Sequence, residues 1–258
     1  MKILKSHLKS VISKGKRDDG RELVEYRDIK IEVNPIQRAN GSARVRLGNT
    51  DVIVGVKIEL GEPFPDTPED GVQIVNAELN SIASPDFEEG PPRPEAIELA
   101  RVVDRGIREG KAIDTGKLCI TPGEKVWCVF MDIYPMNADG NLFDASALAA
   151  IIALKNARFP KYDKKTDEIK YDELTNEKLP IKTTPILNTY GKINNSIFLD
   201  PSSSEEKVLD ARISVATLEN GNVCAMQKGE TGTFTIDEIN KITKDSKKYA
   251  EKLRKLVK

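Results

Sequence analysis

The chain has 258 residues, of which 39% are hydrophobic and 31% charged, enough apolar content for one large packed domain or two smaller ones sharing a core. That balance excludes collagen-like, fibrous and wholly disordered architectures. Forty Lys and Arg stand against 41 Asp and Glu, so contact with a nucleic acid must come from local clusters of cations rather than a global positive field.

No run approaches the ~18 apolar residues that span a bilayer, and residues 1–14 are too charged for a signal-peptide core. A soluble, cytoplasmic chain with no membrane contact is expected. Cys119, Cys128 and Cys224 form an odd set with no C-x-x-C pair and lie in apolar runs, which predicts reduced thiols rather than a disulfide framework or zinc site. His7 is the only histidine, which removes every mechanism that needs a Ser-His, Cys-His or multi-histidine metal set. There is no G-x-G-x-x-G, P-loop or metal cluster, and no cofactor is expected.

Residues 1–14 carry Leu4, Leu8, Val11 and Ile12 at helical spacing and end near Gly15, which predicts a short amphipathic helix. From Tyr26 the period drops to two. Ile29, Ile31 and Val33, then Ala43, Val45 and Leu47, then Val52, Val54, Val56 and Ile58 predict a meander of three strands, broken by Asn34-Pro35 and Gly48-Asn49. Residues 61–70 hold Pro63, Pro65 and Pro68 among acids and read as a loop, 72–79 as extended, and 84–94 as a second loop. That loop ends Pro91-Pro92-Arg93-Pro94. Proline in a first helical turn presets φ and loses only an orphan amide, so a helix is predicted over 95–109, with Ile97, Ala100, Val103 or Asp104, and Ile107 along one face and Gly110 as its stop.

Residues 118–120, the Thr121-Pro122-Gly123 turn and 126–134 predict a hairpin. Asp144 is the expected cap of an alanine-rich helix reaching about Arg158, whose small residues imply close contact with neighbours. Residues 159–180 are a charged excursion that reads as an exposed hairpin or loop. Strands follow over 186–189, 196–199, 212–218 and 223–227, the last two joined by Asn220-Gly221, a strong hairpin signal. Thr235 and Glu238 have the form of a capping box before a long terminal helix striped by Ile239, Ile242, Tyr249, Leu253 and Leu256. The expected class is α+β: one domain over residues 1–258, made of two similar halves at about 17–115 and 116–234 flanked by the two terminal helices, with a single irregular α+β domain as the alternative.

Several motifs occur in a telling order: Arg17-Asp18-Asp19-Gly20-Arg21; Gly41 through Thr50; Asn76-Ala77-Glu78-Leu79 and Ala83-Ser84-Pro85; Glu95 through Arg105; and Asn137-Ala138-Asp139-Gly140 leading into the alanine-rich helix. In this order they resemble the RNase PH family of phosphorolytic 3′-to-5′ exoribonucleases. The likeness covers about Arg17 to Phe234, and within the family it is most similar to the non-catalytic RNase PH-like subunit of the archaeal exosome. The resemblance implies an RNase PH-type fold of duplicated strand-helix units, with mixed sheets and packed helices.

Phosphorolysis holds a phosphate dianion beside a polyanionic RNA end and stabilises charge moving onto the leaving oxygen. In active family members a Gly-Thr-Arg or Gly-Ser-Arg turn at a helix start cradles that phosphate. The corresponding residues here are Gly140-Asn141-Leu142, with an apolar side chain where a charge-assisted pair is needed. Active members also carry two aspartates before a strand of the second half; Asp210 matches the second, and the first falls on Glu206 or Lys207. A paired arginine before the first-half helix is reduced to Arg93-Pro94. These departures predict a subunit with no catalytic residues.

Cations remain on the first-half helix, where Arg101, Arg105 and Arg108 are spaced four and three apart, with Arg93 just before it. They are the candidate RNA-binding residues, suited to phosphates and blind to sequence. Alternatively they form a solvated stripe partly paired with Glu98 or Glu109. Arg44 and Arg46 share one strand face, as rim residues or as the polar side of a half-buried sheet. The resemblance further implies a catalytic RNase PH-like partner, three heterodimers closing into a hexameric ring, RNA-binding cap subunits and single-stranded RNA. The rival reading is an active phosphate-dependent exoribonuclease with an atypical phosphate loop.

Overall fold

The computed structural model describes residues 2–163 and 166–257, with side chains from Lys5 onward. β1 (Ile29–Val33), β2 (Gly41–Leu47), β3 (Thr50–Gly61), β6 (Lys125–Asn137) and β4 (Val72–Ala77) lie in that spatial order in a six-stranded sheet, with β5 (Cys119–Thr121) also paired to β6. Neighbours are antiparallel except β4 and β6, so the sheet is mixed. The period-two reading holds: Ala43, Val45, Leu47, Val52, Val54, Val56 and Ile58 are all buried, while Arg44 and Arg46 alternate onto the other face.

A second, antiparallel sheet has the order β10 (Ser196–Leu199), β9 (Ile186–Ile193), β11 (Ala211–Thr217), β12 (Val223–Gly229). Between the sheets in sequence, the charged excursion forms the hairpin β7 (Arg158–Asp163) and β8 (Glu168–Lys178), largely exposed along β8.

α2 (Pro94–Glu109) and α3 (Leu142–Asn156) fill the space between the sheets, α3 against β2, β3 and β9, and α2 against β4, α3 and β12. Enclosed on several sides, α3 buries Ala149 through Leu154 without interruption and has no polar face to give it an amphipathic period. Its alanines serve close approach. A Cβ on Gly41 of β2 would stand 2.4 Å from the Ala153 carbonyl and 2.7 Å from Ala157 Cα, so strand and helix backbones meet where neither has a side chain to spare. The buried residues of α2 include Ala96, Leu99, Val103 and Ile107. Ile97, expected on the buried face, is 48% exposed: the core lies on both sides of the Leu99 row, one residue round from it.

α5 (Ile236–Arg254) covers the other face of the second sheet through β9 and β11 and starts with the expected Thr235–Glu238 capping box. Leu256, assigned to its apolar stripe, lies past its end and is exposed. α1 (Lys2–Ser13) buries Leu8 and Ile12 against Ile193, Phe198 and Val208, and α4 (Ser203–Glu206) is a single turn after β10. One core joins both sheets, with Val45, Ile133 and Ile152 in the same cluster as Leu187, Ala216 and Leu253. β5 and β6 belong to the first sheet, so a division at residue 115 runs through it. The three cysteines are free thiols. Among the described residues no helix is long and apolar enough to cross a membrane.

Candidate functional site

α3 is capped by Asn141 rather than by Asp144. Gly140 (φ 82°) and Asn141 (φ 51°, ψ 48°) are both left-handed, and Asn141 Oδ1 accepts the Asp144 amide at 3.3 Å. Asn is among the residues that tolerate this conformation while capping. The side-chain amide of Asn141, wholly buried, donates to Asp144 Oδ2 at 2.9 Å and Asp200 Oδ1 at 2.8 Å. Asp144 therefore occupies the third position of the helix, where its carboxylate also accepts from Tyr26 Oη (2.7 Å), the Thr189 amide (2.9 Å) and Thr189 Oγ1 (2.7 Å). Burial raises its pKa to about 6 despite these donors.

Arginines at the chain's start hold the turn from below. Arg27 binds both oxygens of the buried Asp200 carboxylate (2.9 and 2.8 Å) and donates to the carbonyls of Asp139 (2.6 Å) and Gly140 (3.1 Å). Arg21 adds a bond to Asp200 at 2.8 Å. Burial pushes the Asp200 carboxyl up, but the Arg27 guanidinium outweighs it and holds it below the ordinary carboxylate range. Arg17 is buried too and grips Glu205 of α4 with two nitrogens. The guanidinium groups of Arg17 and Arg21 are thus engaged inside the chain.

Glu206, next to Glu205, accepts the backbone amide of Asn141 on Oε1 at 2.8 Å. Burial raises this carboxyl to about 7. A helix start offers its free amides and dipole to an anion, and here the chain's own carboxyl already takes that place. In front of it opens a cavity of about 490 Å³ whose charged lining is Asp86, Glu95, Glu98, Glu206 and Glu230 against Lys207 and Arg212. Arg212 is committed, paired to Glu98 at 2.5 Å with its guanidinium 4.2 Å from the Phe143 ring centroid. Leu142 also lines the cavity. With five carboxyl groups against two cations, the lining opposes the entry of a phosphate dianion.

Glu206 and Lys207, the two alternatives for the first aspartate position, do line this cavity. Asp210 does not. Its carboxylate turns to the Asn194 amide (2.7 Å) and Lys5 Nζ (3.4 Å), away from the helix start. The pairing of Glu206 with Asn141 is absent from the sequence reading. Its local signal is Ser202 with Glu205, a capping box, which places α4 but says nothing of a partner 65 residues earlier.

The four candidate arginines divide. Arg93 is ion-paired to Glu88, and Arg108 to Asp104 at 2.7 Å with a further bond to the Gln73 carbonyl at 2.9 Å. Arg101 and Arg105 are exposed. Arg105 contacts Gln227 of β12 at 3.3 Å, and Arg101 meets no hydrogen-bond or ion-pair partner among the described residues. Glu98 pairs with Arg212 instead. The spacing therefore brings two guanidinium groups without a carboxylate partner together one turn apart, not four. Arg44 and Arg46 share Asp51, at 2.7 and 3.1 Å. Among the described residues no group of three or more His, Cys, Asp or Glu is arranged to hold a metal ion.

Comparison with known proteins agrees with this anatomy. Residues 25–160 match domain 1 of the 3′ exoribonuclease family, and residues 183–248 match domain 2. The chain is 48% identical over 258 residues to exosome complex component Rrp42 of Thermococcus gammatolerans, covering 99% of this chain and 94% of that one. It is 50% identical over 252 residues to Rrp42 of Thermoplasma acidophilum, covering 98% and 94%. Among solved structures, a chain of the Archaeoglobus fulgidus exosome with RNA bound to the active site superposes with a TM-score of 0.92 at 45% identity, covering 100% of this chain and 98% of that one. A chain of an archaeal exosome core gives 0.86 at 42%, covering 99% and 96%. The chain belongs to the RNase PH family of 3′ exoribonucleases, in the branch of the archaeal exosome component Rrp42.

Proposed function

We propose that this chain is the non-catalytic RNase PH-like subunit of an archaeal exosome core, which shapes the active site of a catalytic RNase PH-like partner and guides single-stranded RNA toward it. The observation that carries this reading is the helix start of α3. Its amide is filled by Glu206, its flanking side chain is Leu142, and the cavity before it is lined by five acids and two cations. The relatives named above are exosome components, and the similar structures are an exosome with RNA bound and an exosome core, which supports a place in such a core; in this reading the chain and that partner form three heterodimers in a hexameric ring carrying RNA-binding caps. The rival reading, an active phosphorolytic enzyme with an atypical loop, needs an anion site where the chain has placed a carboxyl.

RNA guidance falls to Arg101 and Arg105, whose guanidinium groups hold no carboxylate and contact phosphates without reading bases. Arg93 and Arg108 serve as its rim. The test is phosphate-dependent release of nucleoside diphosphates from end-labelled single-stranded RNA. The folded chain alone is expected to be silent, with turnover appearing on addition of the catalytic subunit. Arg101→Glu with Arg105→Glu should weaken RNA capture by the assembled complex. Turnover by the chain alone refutes the non-catalytic role, and unchanged capture by the double variant refutes the guiding role.

A further inference from the structure

The solvent face of α5 carries a feature that neither the cavity nor the α2 arginines use. Lys241, Lys244, Lys248, Lys252 and Lys255 recur at intervals of three and four residues, which at 3.6 residues per turn places them in one narrow stripe running about 21 Å along the helix axis. All five are exposed, and the stripe lies opposite the buried row of Ile242, Ser246, Ala250 and Leu253. No carboxylate of the described residues forms an ion pair with any of them. Other lysines of the chain are paired, as Lys16, Lys125 and Lys161 are, each holding a carboxylate at 2.6 to 2.9 Å.

Two of these lysines are positioned rather than free. The Lys248 and Lys252 ammonium groups lie 6.0 and 5.2 Å from the Tyr249 ring centroid, a cation–π distance. The ring is itself anchored by its hydroxyl on the Val24 carbonyl at 2.6 Å and by an edge contact with Tyr26.

We infer that the α5 stripe is a docking surface for the phosphate backbone of RNA, separate from the path past Arg101 and Arg105. The two surfaces lie on opposite faces of the second sheet: Arg212 of β11 reaches α2 through Glu98, whereas Ile213 and Val215 pack with Ile242 of α5. Charge complementarity selects a polyanion. An acidic protein surface fits less well, because lysine is depleted at protein interfaces and such interfaces close around apolar anchors. The exposed large apolar residues here, Ile236 and Leu256, stand at the two ends of the helix and leave the middle without an anchor. Ammonium groups act as point charges, so binding is independent of base sequence.

The test uses the chain assembled with its catalytic partner, a fluorescently labelled single-stranded RNA of 30 nucleotides, and anisotropy titrations across a salt series. Lys244→Glu, Lys248→Glu and Lys252→Glu are combined, with the triple Gln variant as a milder control. Three lost contacts should make the slope of log Kobs against log salt shallower by about 2 and weaken binding by up to roughly a hundredfold at ~0.1 M salt. The Gln triple, which puts no acid near the C-terminal end of α5, should leave the melting temperature little changed, and a Glu triple that does not fold is replaced by it. Unchanged slope and affinity overturn the inference even where Arg101→Glu with Arg105→Glu reduces RNA capture. Loss of an acidic protein partner with RNA binding intact overturns it as well.

Discussion

Replacing Arg17 with Met tests whether the buried ion network, rather than the apolar core alone, holds the first turn of α3 in place. Arg17 and Glu205 have side chains that are 0% and 2% exposed. Arg17 donates Nε to Glu205 Oε1 at 2.9 Å, Nη1 to the Leu199 carbonyl at 2.6 Å and Nη2 to the Asp200 carbonyl at 2.8 Å. Met fills a similar volume and supplies none of these donors. Glu205 keeps the Ser202 amide (2.8 Å) and hydroxyl (3.0 Å) but becomes a buried charge without a counter-ion. Removing one partner of such a pair costs about 3–5 kcal/mol. At ~2–4 °C per kcal/mol for a chain of this size, the melting temperature should fall by roughly 6–20 °C. Urea unfolding followed by circular dichroism measures the free energy directly. Arg17→Met combined with Glu205→Gln removes the uncompensated charge and should recover a large part of the loss. A single-variant cost under about 1 kcal/mol, or a double variant no more stable than the single, refutes the electrostatic account.

The remaining predictions concern the cavity floor and the helix–strand contact. Glu206 has its carboxyl raised from 4.5 to about 7, so the folded state binds its proton more tightly than the unfolded chain and stability falls as pH rises between these values. Glu206→Gln should flatten that part of the curve, gaining stability relative to the natural chain above pH 7 and none at pH 4. Urea midpoints from pH 4 to 8 read this out, and parallel curves would show that the carboxyl is not held as described. Gly41→Ala should destabilise by at least 1–3 kcal/mol, because its Cβ would meet Ala153 and Ala157 main-chain atoms that cannot rotate away. A melting temperature within 1 °C of the natural chain would mean that β2 and α3 do not approach as closely as drawn.

Much of the fold was legible because its signals are local. Alternation in β2 and β3, the proline run before α2, the Thr235–Glu238 box and the Asn220-Gly221 turn each depend on residues within a few positions of one another. Resemblance in motif order then supplied the family, and Leu142 in place of an arginine signalled the silent site. Other assignments failed where the deciding neighbour is distant in sequence. Ile97 has the right period for the buried face of α2, but two sheets close on that helix and leave Ile97 outside. Asp144 has the composition of a cap, yet Asn141 takes the cap because Asp200, 59 residues on, holds its side chain.

By itself the sequence determined the strands, the helices, the family and the absence of a phosphate-binding arginine, since each is written in residue type and short spacing. Only the tertiary structure decided what became of the charges. It brings Glu206 onto the Asn141 amide across 65 residues, sends Asp210 away from the cavity, pairs Arg93 and Arg108 with acids, and leaves Arg101, Arg105 and the α5 lysines without carboxylates. The physical reason is that a charge is defined by its nearest opposite charge and its exposure to water, and neither distance along the chain nor residue type determines either one.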